Sequence, residues 1–182
     1  MTTYSLDWLA GLITGEGCFT LSVNRLKQSK GAGWLRITPV FSITMTDLET
    51  MKCAADSFKA HGMPVYLQDG VSESRKGEKR PTLKIHLNGQ KRLLVVTDTL
   101  LPHLYGKKKA AAQAVNDFCR HRLARDYRGI DDFDIECVER VRAANASNGH
   151  RNTSIADLRD YKLGRAKPGR YSPTPVAIQG GL

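Results

Sequence analysis

A chain of 182 residues with a formal charge of +10 and a pI near 9.6 is long enough to bury a core and basic enough to call for a polyanionic partner, most simply nucleic acid. Cys18, Cys53, Cys119 and Cys137 are far apart, with no CxxC and no paired histidine spacing, which argues against zinc and against a disulfide framework. With no long apolar run and no leader pattern, a membrane partner is not expected, and the expected location is the cytoplasm, or the stroma or matrix of an organelle that encodes the chain.

The first element is a short helix. Ser5 is placed to cap it, Asp7 falls in its first turn, and Gly15 and Gly17 punctuate its end. Leu9, Leu12 and Ile13 anchor it in the core. Gly11 and Gly15 form an i,i+4 pair on a small-sided face shared with Ala10 and Thr14, where a second backbone can approach closely. Each glycine costs a helix roughly 1 kcal/mol relative to alanine, more than a purely structural helix has reason to bear. Glu16 falls where the helix gives out, a carboxylate against the negative end of the macrodipole, and it asks for a cation. If two copies pack face to face, their Glu16 side chains stand side by side, with a divalent metal as the natural neutraliser.

Beyond Gly17 the period changes from helical to alternating. Phe19, Leu21 and Val23 fall on one face, and Thr20, Ser22 and Asn24 on the other. Residues 26–33 read as a basic loop. A second strand follows from Trp34, with Ile37, Phe41 and Ile43 inward and Arg36, Thr38, Ser42 and Thr44 outward. Pro39 hints at an edge or a bulge. Thr46 or Asp47 caps a helix from Leu48 to His61, stopped by Gly62. Pro64 to Gln68 reads as a short strand and Asp69 to Lys79 as a loop. Arg80 to Leu87 is the fourth strand, with Leu83, Ile85 and Leu87 inward and Thr82, Lys84 and His86 outward.

Asn88 is placed to cap a third helix, Gln90 to Leu101, which ends at Pro102. A fourth, Lys107 to about Arg125, opens on Lys107, Lys108 and Lys109, three cations at the positive end of a dipole, which a phosphate would relieve. A fifth, Ile130 to Ala146, carries Phe133, Cys137, Val138 and Val141 as its packing stripe. Beyond it the chain is turn-rich and basic, and reads as a tail that grips phosphates, with a short helix at Ser154 to Tyr161.

Leu9-Ala10-Gly11-Leu12-Ile13 matches the first five letters of the LAGLIDADG motif of the homing endonucleases, and the chain resembles that family as far as about Leu123. Thr14 stands where the motif usually has Asp. Glu16 stands at the acidic position that binds the catalytic metal in the family. The resemblance implies an α+β fold in the order αββαββα, a four-stranded antiparallel sheet forming a saddle over DNA with helices behind. That core is expected in residues 1–146, with 147–182 as the basic tail. The resemblance also implies Mg²⁺ held by Glu16 and the Gly15 carbonyl, with Mn²⁺ or Ca²⁺ substituting for binding. The run Leu104 to Lys109 resembles the family segment that supplies an active-site lysine, here Lys107, with Lys108 as the alternative.

One copy of the motif implies a homodimer joined through Ala10, Gly11, Thr14 and Gly15. Its substrate would be a long, near-palindromic double-stranded DNA cut on both strands. The residues expected to read bases are Thr20, Ser22, Asn24, Arg36, Thr38, Ser42, Gln68, Lys84 and His86, with Lys108, Lys109 and Arg151 as further DNA contacts. By the same resemblance Met45 occupies a position often filled by Gln, and Glu49 one often filled by a basic residue. The alternative reading is a descendant without cleavage, an intron maturase acting on its own intron RNA or a sequence-specific DNA- or RNA-binding protein.

Overall fold

A computed structural model describes residues 3–26, 34–73, 77–125, 129–145 and 155–162. Helix α1 (Leu6–Glu16) is capped by Ser5, whose Oγ accepts the Trp8 N–H at 3.2 Å. Tyr4 stacks on Trp8 with ring centroids 4.2 Å apart and donates its N–H to Ser57 Oγ, which ties the entrance of α1 to the next helix. The helix runs through Gly15 and ends at Gly17, which at φ −80° needs no left-handed turn. Glycine is required there for space, because a Cβ would stand 2.8 Å from the backbone of Ile13.

Strands β1 (Gly17–Leu26) and β2 (Trp34–Met45) pair antiparallel from Gly17 opposite Ile43 to Leu26 opposite Trp34. Helix α2 (Leu48–Ala60) is capped by Asp47, which accepts from both the N–H and the hydroxyl of Thr50. It stops at Gly62, whose φ of +75° is the left-handed value that favours glycine. Strands β3 (Leu67–Glu73) and β4 (Lys79–Asn88) follow, then α3 (Gln90–Leu100), α4 (Gly106–Leu123), α5 (Asp132–Asn145) and α6 (Ile155–Lys162). The sheet order is β1-β2-β4-β3, with β2 and β4 central. The expected order αββαββα is the order found, and three further helices close the body behind the sheet.

The core lies between the inner face of the sheet and the helices. Phe19, Phe41, Ile43, Ile85 and Leu87 of the sheet, Leu9 and Ile13 of α1, Met51 and Phe58 of α2, and Val115 and Phe118 of α4 are all essentially sealed from solvent. Phe41 packs on Phe19 at 4.7 Å and edge-on to Phe58 at 5.8 Å.

Three local expectations are corrected. The third strand is Leu67–Glu73 and not Pro64 to Gln68. Met63 and Val65 are buried because they pin the exit from α2, the Met63 N–H bonding to the Phe58 carbonyl, so their apolar pattern marks a packed connection. The strand itself is polar and exposed along an edge, held by its ladder to β4 from Leu67 opposite Ile85 to Glu73 opposite Lys79. Asn88 does not cap α3. It is the last residue of β4, opposite Val40, and the cap is Gly89 at φ +93° without a side-chain bond. The body also does not end at residue 146, since Leu158 of α6 is fully buried and Arg159 pairs with Glu139 of α5. Pro39 sits opposite Leu21 where β4 no longer pairs with β2, so a missing donor is tolerated there.

Candidate active site and nucleic-acid interface

The face of the sheet turned away from the core is polar across its width. Ser42 stands between Cys18 of β1 and His86 of β4, Thr44 faces Lys84, and Lys84 faces Gln68 of β3. Thr38 lies opposite Ser22 and Arg36 opposite Asn24. The predicted base-reading residues Thr20, Ser22, Asn24, Arg36, Thr38, Ser42, Gln68, Lys84 and His86 therefore share one surface, all of them exposed or half-buried. Ser22 and Asn24 hydrogen-bond to each other at 3.2 Å, and Arg36 is exposed with no acidic partner among the described residues. Burial, followed by the neighbouring Lys84 charge, pushes the His86 imidazole below its ordinary value, so at neutral pH it stands uncharged. Its Nδ1 is buried without a hydrogen-bond partner.

Glu16 reaches this face at one end of the sheet. It lines an open cavity of about 300 Å³ together with Thr44, Met45, Thr46, Asp47, Ser72 and Thr82. Its carboxylate is exposed and forms no ion pair or hydrogen bond among the described residues, although it ends a helix. Asp47 is the second carboxylate of the cavity, held below its ordinary value chiefly by the Thr50 hydroxyl and N–H. In the sequence Asp47 carries only the signature of a cap, and no local pattern puts Thr44, Ser72 or Thr82 beside Glu16. Their alternation on β2, β3 and β4 was the available signal, but the shifted third strand hid Ser72.

Of the two lysines, the structure brings Lys108 and not Lys107 to α1. The Lys108 ammonium donates to the carbonyl of Gly17, the residue next to Glu16, whereas Lys107 is exposed and has no partner among the described residues. Lys109 is also exposed. Gly11, Thr14 and Gly15 lie open on the outer side of α1, and a Cβ added at either glycine would meet nothing within 4 Å. Ala10 is a correction to the expected interface set. At 4% exposure it is covered by the chain's own core, because the helical turn carries it to the side that packs on the sheet. Arg151 lies outside the described residues.

The donor set at the cavity suits a hard divalent ion. Carboxylate oxygens of Glu16 and Asp47 and hydroxyls of Thr44, Thr46, Ser72 and Thr82 are oxygen ligands or partners for bound water, and the Met45 thioether is the one soft donor among the lining residues. The Gly15 carbonyl belongs to the last turn of α1, where carbonyls run out of intrahelical donors.

A second group with ligand atoms within 4.8 Å of one another, His121, Asp131 and Asp134, is already engaged by two arginines, although Asp134 Oδ1 and Arg122 Nε meet as an ion pair without a hydrogen bond. Asp131 and Asp134 each accept the other's N–H at the start of α5, Arg122 Nε lies 2.9 Å from Asp134, and Arg125 pairs with Asp131. Burial works to raise Asp131, but the N–H of Asp134 and the His121 contact overcome it and hold the carboxyl at about 2. Burial dominates at Asp134 and raises it. Two guanidinium groups occupy the place a cation would take, so this cluster is a helix cap and an α4–α5 pin.

No protein-family model matches the chain, and no curated protein sequence matches it. Solved structures do. The homing endonuclease I-CvuI, in complex with DNA in the presence of magnesium and with the DNA not cleaved, superposes with a TM-score of 0.57 at 17% identity over 85% of this chain and 90% of its own. The group I intron-encoded homing endonuclease I-CeuI, complexed with DNA, gives 0.59 at 16% identity over 90% of this chain and 77% of its own. The LAGLIDADG meganuclease I-AabMI, bound to uncleaved DNA, gives 0.55 at 19% identity over 94% of this chain but only 51% of its own. In its element order, its sheet and the helix that ends in Glu16, the chain has the LAGLIDADG homing-endonuclease fold.

Proposed function

We propose that the chain is a site-specific endonuclease that cuts both strands of a long, near-palindromic DNA as a homodimer, using divalent metal. The observation that carries this reading is Glu16. It is a carboxylate that pairs with no cation among the described residues, at the negative end of a helix, opening onto a hydroxyl-rich cavity on the polar face of the sheet.

Glu16 and the Gly15 carbonyl would hold Mg²⁺, which supplies Lewis acidity at a phosphate and a hydroxide-like water at neutral pH. The chain's own groups do the rest. The hydroxyls of Thr44, Ser72 and Thr82 order water in the cavity, and the polar strands fix the register of the duplex through base edges. Lys108 takes the lysine role in preference to Lys107. It holds the backbone at Gly17, the residue after Glu16, and from there its ammonium would offset negative charge building up on a phosphate held at Glu16.

Dimerisation is supported by the open Gly11, Thr14 and Gly15 face. Two α1 helices in contact there would set two Glu16 side chains over one stretch of DNA, one for each strand. The test is cleavage of a plasmid that carries the uninterrupted sequence flanking the open reading frame, with and without Mg²⁺. Metal-dependent linearisation by the wild type and none by Glu16→Gln is the expected result. Sequence-specific binding without any cutting would favour the non-cleaving descendant, and absence of both would overturn the proposal.

A further inference from the structure

Among the described residues most arginines are spent on acids. Arg80, Arg120, Arg122, Arg125, Arg140 and Arg159 each pair with a carboxylate. Arg92, in the first turn of α3, pairs with none among the described residues. Its guanidinium lies over the ring of Tyr66, 5.7 Å from the centroid. Both side chains are exposed, Tyr66 by 54%, an unusual cost for an aromatic that has the core of the same domain within reach.

The register says where this pair stands. Tyr66 immediately precedes β3, whose first pair is Leu67 opposite Ile85, so it stands at the end of the sheet, just beyond Gln68 and Lys84. Arg92 follows β4 by one turn of α3, and Lys91 beside it is exposed as well. Beyond the Gln68–Lys84 pair, at the start of β3, stands an aromatic ring with a guanidinium over it that has no hydrogen-bond or acidic partner among the described residues.

We propose that Arg92, propped on Tyr66, grips a backbone phosphate at the flank of each DNA half-site, outside the strands that read bases. The inference rests on the reading of the sheet as a DNA interface. A ring beneath the guanidinium restricts its rotamers and leaves the N–H edges free, and that planar fork matches phosphate in a bidentate fashion as an ammonium does not. The occupant is DNA because Arg92 and its neighbour Lys91 are exposed cations at the end of the sheet that carries the base-reading face, and Arg92 pairs with no carboxylate among the described residues.

The experiment is a salt titration of binding to a fluorescent mixed-sequence 40-bp duplex with Ca²⁺ in place of Mg²⁺, for wild type, Arg92→Ala, Arg92→Lys, Tyr66→Phe and Tyr66→Ala. Arg92→Ala should lower the slope of log K against log salt by about 0.9 per copy, which weakens binding about eightfold at 0.1 M salt. Arg92→Lys and Tyr66→Phe should keep the slope, and Tyr66→Ala should weaken binding less than Arg92→Ala. Equal melting temperatures for all five proteins are expected, since both residues are exposed. An unchanged slope for Arg92→Ala overturns the phosphate contact while leaving DNA binding intact, as does a loss confined to one DNA sequence. A wild type that does not bind the duplex at all overturns the DNA reading on which this rests.

Discussion

Lys108 donates its ammonium to the carbonyl of Gly17, across a sequence separation of 91 residues, and so joins the first turn of α4 to the end of α1. The bond places a positive charge at the C-terminal end of a helix whose last residue is the exposed Glu16, and it does so without using that carboxylate. Lys108→Ala should therefore cost both stability and turnover, about 0.5–1 kcal/mol by denaturant melting and on the order of 10²-fold in cleavage rate. Lys107→Ala should change neither by more than about twofold. The reverse outcome would return the role to Lys107.

Glu16→Gln keeps the shape of the side chain and removes its charge. Cleavage in Mg²⁺ should fall by on the order of 10³-fold, while binding measured in Ca²⁺ on the same duplex should hold or improve. Cutting at the wild-type rate would remove Glu16 from the metal site.

Gly11→Leu and Gly15→Leu test the open face of α1. Because a Cβ at either position meets nothing within the chain, these variants should keep the circular dichroism and core packing of the wild type yet sediment as monomers. Gly17→Ala is the contrasting case. Its Cβ would clash with the Ile13 backbone at 2.8 Å, so it should destabilise the fold itself by about 1–3 kcal/mol, read as a lower midpoint in urea.

Asp131 makes stability depend on acid. Burial opposes its ionisation, yet the Asp134 N–H and His121 hold it at about 2, below the 3.8 of an unstrained carboxyl. A depressed native value means that the stabilisation is complete above pH 4 and is lost as the pH falls towards 2. Asp131→Asn should lower the unfolding free energy by on the order of 1–2 kcal/mol at pH 7, and the gap to wild type should close at pH 2–3. Asp134, raised by burial, works in the opposite sense, so Asp134→Asn should lose less at neutral pH than Asp131→Asn. Equal gaps at both pH values would show that the cap acts through geometry alone.

Leu158→Ala checks whether α6 belongs to the body. A fully buried leucine truncated there should cost about 2–4 kcal/mol, whereas an unattached tail would lose nothing.

The legible part of this protein lay in periodicity and punctuation. Phe19, Leu21 and Val23 against Thr20, Ser22 and Asn24 announced a half-buried strand, Asp47 announced a cap, and Gly62 a stop, because alternation, capping and a left-handed backbone are enforced within a few residues of chain. The third strand was misplaced for the converse reason. Its polar edge is held by the ladder to β4, which is remote in sequence, while the apolar Met63 and Val65 serve a connection.

By itself the sequence determined the order of elements, which face of each strand is polar, and that an acid ends a glycine-bearing helix, all of which follow from local pattern. Only the tertiary structure decided that Ala10 turns inward, that Lys108 and not its neighbour meets α1, that Ser72 and Thr82 share a cavity with Glu16, and that Arg92 leans on Tyr66. The physical reason is that a helix advances by about 100° per residue, so adjacent lysines point in different directions. Which of them finds a partner depends on where long-range packing has already put the other helix.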